Sequence, residues 1–78
     1  MEYEERILID ITKLDESLNE IKSIELTSQE KEIIERAKNY KEDCKYHLEK
    51  RDEISSFGCI TYAHGLIDAI KLNHYINK

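Results

Sequence analysis

Apolar residues near the start of this chain recur at Ile7, Ile11, Leu14, Leu18 and Ile21, and that 4-3-4-3 spacing strongly constrains the local structure. At 3.6 residues per turn it gathers all five side chains into one stripe along a helix, whereas a strand would scatter them over two faces. The composition of the whole chain favours such helices. The 78 residues contain no proline and only two glycines, and 37% of them are Asp, Glu, Lys or Arg, a composition that suits long helices far better than a sheet or a disordered tail.

Ile24-Glu25-Leu26 interrupts the rhythm, and Thr27-Ser28-Gln29-Glu30 follows with the signature of a capping box. There the threonine hydroxyl accepts from the amide three residues on, and the glutamate reaches back to the threonine amide. A second stripe starts from that point, through Ile33, Ala37, Tyr40, Cys44 and His47, widened by Ile34 and Leu48. Asp52 then reads as the N-cap of a third helix, where a carboxylate accepts orphan amides and suits the positive end of the dipole. That helix carries Phe57, Ile60, His64, Ile67, Ile70 and His74 on one side and a neighbouring row of Tyr62, Leu66, Ala69 and Ile76. The expected fold is all-α, an antiparallel up-down-up three-helix bundle with helices at about 2–23, 28–50 and 53–76, forming one domain over 1–78.

Short turns near Glu25 and Asp52 would also set a register. Contacts between the first and second helices should have residue numbers summing to about 51, and those between the second and third to about 104. This predicts the layers Ile7/Cys44/Ile60, Ile11/Tyr40/His64, Leu14/Ala37/Ile67 and Leu18/Ile33/Ile70. Each layer has at least two apolar members, so separate periodicities agree on one packing.

Charge is distributed unevenly. Residues 1–53 hold 16 acidic and 10 basic side chains, whereas beyond them stand only Asp68, Lys71 and Lys78. The third helix is therefore the element that the others must cover. A net charge of −5, with Lys and Arg interleaved among Glu, lacks the basic face that phosphate backbones need, so no nucleic-acid partner is expected. The arginine-to-histidine spacing of small helical RNA nucleases is absent too, since Arg6, Arg36 and Arg51 have no histidine four to seven residues downstream. The run Ile54 to Ile67 is too short to span a bilayer, and the charged start at Glu2-Tyr3-Glu4-Glu5-Arg6 has no secretory pattern. No membrane role and a cytoplasmic location are the expectations, with Cys44 and Cys59 as reduced thiols.

Three groups of residues could carry chemistry. Cys44 and His47 lie three apart on the second helix, and the register brings Cys59 and His64 opposite, a thiolate and imidazole set of the kind zinc takes. No second metal-binding pair accompanies them, and packed cysteines commonly act as small hydrophobes, so neither a metal nor another cofactor is expected. Tyr40, His64 and Asp68 form a potential polar network: His64 and Asp68 are one helical turn apart, and Tyr40 should face His64 across the seam. Without a nucleophile or oxyanion donors, that cluster reads as structural. Gly58 and Gly65 stand one heptad apart inside the third helix, where each costs up to about 1 kcal/mol against alanine. Close approach of another helix would account for them, first of all one from the same chain.

The stretch Tyr40 to Ala69 resembles a family of small archaeal proteins catalogued as domain of unknown function 357. The likeness is carried by Tyr40, Asp43, Tyr46 with Leu48, Asp52, Phe57, Tyr62-Ala63-His64-Gly65 and Asp68-Ala69. It implies a compact helical bundle and no assigned activity. The chain departs from that pattern at Cys44, where alanine is usual, and at Arg51, where glycine precedes the turn aspartate. A left-handed backbone at Arg51 would be strained by about 1 kcal/mol relative to glycine.

The functional expectation is a non-catalytic interaction module rather than an enzyme, with Tyr62, Leu66, Ala69 and Ile76 as interface candidates and a homodimer or another protein as partner. The alternative is a small metal- or thiol-dependent protein built on Cys44, His47, Cys59 and His64.

Overall fold

The computed structural model describes residues 2–74. Three helices follow one another, α1 (Glu4–Glu20), α2 (Ser28–Glu49) and α3 (Glu53–Asn73), in an all-α three-helix bundle with no strand among the described residues. The expected boundaries hold to within a turn, except that the expected end of the third helix at 76 lies outside the described residues. α1 gives way after Glu20 to a tight turn in which the Ile24 amide bonds to the Ile21 carbonyl, while Ile21 itself stays buried.

Both predicted caps are formed. The Thr27 hydroxyl accepts from the Glu30 amide at 3.1 Å and the Glu30 carboxylate accepts from the Thr27 amide at 3.0 Å. Asp52 accepts from the Ser55 amide at 3.1 Å. Between α2 and α3 Arg51 takes φ 62°, a left-handed turn position. Its Cβ crowds the backbone there, a strain that glycine would not carry.

The core is a column of Ile7, Ile11, Leu14, Ile21, Ala37, Cys44, Ile60, Ala63, Ile67 and Ile70. The layers Ile7/Cys44/Ile60 and Leu14/Ala37/Ile67 are fully buried, and the other two combine buried with half-buried members. Between α2 and α3 the cross-helix pairs fit the predicted register: Tyr40 meets Tyr62, and Glu30 meets His74.

α3 is rotated from the expected orientation. Its inward row is Ser56, Ile60, Ala63, Ile67 and Ile70, and Phe57 instead sits 40% exposed at the edge, beneath the Arg6 guanidinium. Small side chains decide this. α2 offers Ala37 and Cys44 and α3 answers with Ser56 and Ala63, so the two backbones approach closely enough for the Ser56 hydroxyl to donate to the Cys44 carbonyl at 2.8 Å. With its one hydrogen so used, that hydroxyl accepts from the Cys44 thiol, 3.2 Å away.

α1 lies on α3 and has little direct contact with α2. Its attachments are polar as well as apolar: His64 Nε2 pairs with the Asp10 carbonyl at 2.8 Å, and Lys71 reaches Ser17 at 3.1 Å and the Glu20 carboxylate. Lys41 spans from α2 to Asp15 at 2.8 Å.

A candidate interaction surface on the third helix

Every exposed charged side chain on α3 comes down to one. Its outward positions are Ile54, Phe57, Gly58, Thr61, Tyr62, Gly65, Asp68, Ala69, Leu72 and Asn73, and Asp68 alone among them is an acidic or basic residue. The outward positions of α2, by contrast, include Lys31, Glu32, Glu35, Arg36, Lys38 and Glu42. Polarity is spread almost evenly around α3, a pattern ordinarily found in helices covered on all sides. Here one side is covered by α1 and α2 and the other is open. Ile54 is 88% exposed and Leu72 60%, five helical turns apart on the same line.

Gly58 and Gly65 belong to this open face. A Cβ at either would meet nothing within 4 Å, so the expectation that a helix of the same chain packs against them is corrected. The close approach inside the chain is made by Ala37, Cys44, Ser56 and Ala63 instead. The interface candidates divide likewise. Tyr62 and Ala69 are exposed on the outer face, Leu66 is half-buried against the core, and Ile76 lies outside the described residues. Sequence reading missed Ile54 and Leu72, whose signal was a 4-3-4-3 line through Ile54, Gly58, Thr61, Gly65, Asp68 and Leu72.

Beside this face, Tyr3, Arg6, Glu53, Ile54 and Phe57 line an apolar groove of about 550 Å³ between the starts of α1 and α3. Arg6 stands 6.0 Å over the Phe57 ring, and Glu53 accepts from the Tyr3 amide at 2.9 Å.

The other candidate groups are separated. Among the described residues no hydrogen bond joins His64 to Tyr40 or Asp68. His64 turns to α1, where a carbonyl can only accept, so Nε2 carries a hydrogen. Tyr40 stacks edge-on to Tyr62 with ring centroids 4.7 Å apart, and Asp68 is exposed.

Cys44, His47, Cys59 and His64 likewise do not gather. No three His, Cys, Asp or Glu side chains among the described residues form a group able to hold a metal ion. His47 lies against the Tyr46 ring and 3.9 Å from the Asp52 carboxylate. Burial pushes both thiols up, Cys44 despite its Ser56 contact and Cys59 with help from the Asp43 carboxylate, which is the opposite of nucleophile activation.

A model of the family described as a protein of unknown function (DUF357) matches residues 10–76. The chain belongs to the DUF357 family. The match extends over most of all three helices, so it covers the core residues from Ile11 onward and the open face of α3 together. No curated protein matches this DUF357 chain. No helix among its described residues is long and apolar enough to cross a membrane.

Proposed function

We propose that this DUF357 protein is a non-catalytic helical interaction module and that the outer face of α3 is its docking surface. The observation that carries the reading is a full-length helix face with Asp68 as its one exposed charge, in a chain of which 37% is charged. Water-facing helices gain solubility from charge, so an uncharged face held open in this way is surface reserved for contact. Two glycines at its centre lower the helix propensity of the free chain and, with no Cβ, leave room for another backbone to come near.

The test is Gly65→Gln, a substitution that enters open space and suits a helix, so the fold should be retained. Tagged protein purified under native conditions from its own cells, and the purified chain in sedimentation velocity, should both show an association that the variant loses. Glu32→Gln on α2 serves as the control and should keep it. A wild-type chain without any associate in either experiment, or a Gly65→Gln variant that keeps them all, overturns the reading.

A further inference from the structure

Taking that reading as the base, we infer that the occupant of the α3 face is a second copy of this chain, with the two α3 helices packed antiparallel and fully overlapped. The central line of the face runs through Ile54, Gly58, Thr61, Gly65, Asp68 and Leu72. Folding it onto a two-fold copy about the midpoint of Glu53–Asn73 pairs positions whose numbers sum to 126. Ile54 then meets Leu72 of the other copy, Gly58 meets Asp68 and Thr61 meets Gly65, and each pairing occurs twice by symmetry.

Three features fit this arrangement together. The small residues fall in the middle, where the helices come closest, and the two most exposed apolar side chains of the helix, Ile54 and Leu72, fall at the ends. Leu72 of the second copy arrives beside Ile54 at the mouth of the groove formed with Tyr3, Arg6 and Phe57, which supplies an apolar recess at the level where that side chain needs one. One turn away, Asp68 of the second copy comes level with Gly58, on the flank where Phe57 holds the Arg6 guanidinium. The face's one carboxylate thereby meets a cation, and none of the ion pairs among the described residues already involves Arg6.

A parallel pair fails on the same residues. It would stack Asp68 on Asp68, like charge on like charge, and would leave Arg6 about ten residues, or roughly 15 Å, from either carboxylate.

Sedimentation equilibrium of the purified chain from about 10 µM to 1 mM is the experiment, since a pair of modest size dissociates in that range. The mass should rise from 9.3 kDa toward twice that value. Asp68→Arg and Arg6→Glu should each weaken the dimer by about tenfold at low salt, and the double variant should recover most of the loss, because the reversed pair is again opposite in sign. Leu72→Lys, at an exposed position where folding is unaffected, should also shift the chain to monomer. A chain that stays at 9.3 kDa up to 1 mM overturns the second copy, while the broader reading is still judged by whether Gly65→Gln loses its associates in cells. A dimer that the charge-reversed double variant does not restore overturns the antiparallel register.

Discussion

Arg51 holds a left-handed backbone at φ 62° between α2 and α3, and the strain it stores has no compensating side-chain contact among the described ion pairs. Replacing it with glycine removes the clash between Cβ and the carbonyl, so Arg51→Gly should raise stability by about 1 kcal/mol. Urea unfolding would report this as a higher midpoint at unchanged slope. An unchanged midpoint would mean that the arginine makes up the loss elsewhere. The glycines inside α3 present the reverse case. Both have ordinary helical backbone and open space at Cβ, so Gly65→Ala should stabilise the dilute monomer by about 0.5–1 kcal/mol. A lower melting temperature for that variant would show that the position is crowded within one chain after all.

At the scale of elements, Glu30 joins the start of α2 to the end of α3. Its carboxylate accepts from the Thr27 amide, from Asn73 at 3.1 Å and from His74 at 2.8 Å, and these bonds hold its pKa at about 2 against an ordinary 4.5. A carboxyl depressed in the folded state contributes stability above its unfolded pKa and loses it as pH falls toward the folded one. Melting temperature should therefore drop between about pH 4.5 and 2, and Glu30→Gln, less stable at pH 7, should converge on the wild type at the acid end. Parallel curves across that range would exclude the clasp. The Thr27 half of it was legible in the sequence because a capping box is local, as was Asp52, and the two caps fixed where α2 and α3 begin and hence their register. The rotation of α3 was not legible. Its apolar residues surround the helix, so spacing alone favoured Phe57 and His64 over the small Ser56 and Ala63 that Ala37 and Cys44 actually admit. The partner of His64 was hidden for another reason, since a main-chain carbonyl such as that of Asp10 has no sequence signature.

For the whole molecule, the bundle resolves one problem of a short chain and leaves another. Ten buried apolar side chains among the described residues, from Ile7 to Ile70, make a small core. Burying the open face of α3 against further protein would extend that core across a boundary, so the proposed dimer should melt at a temperature that climbs with concentration. Tyr62 and Ala69 announced this face in the sequence, while Ile54 and Leu72 became visible only once the inward row was known. The arrangement of the remaining helix has its own consequence. Because α1 rests on α3 and scarcely touches α2, the α2–α3 hairpin can persist while α1 lifts away, exposing Ile7, Ile11 and Leu14 together. Native-state hydrogen exchange should accordingly find the amides of α1 opening as one cooperative unit at lower free energy than those of α2 and α3, and equal protection in all three helices would rule this out. Unequal protection of that kind would give the chain a detachable layer as well as a fixed one.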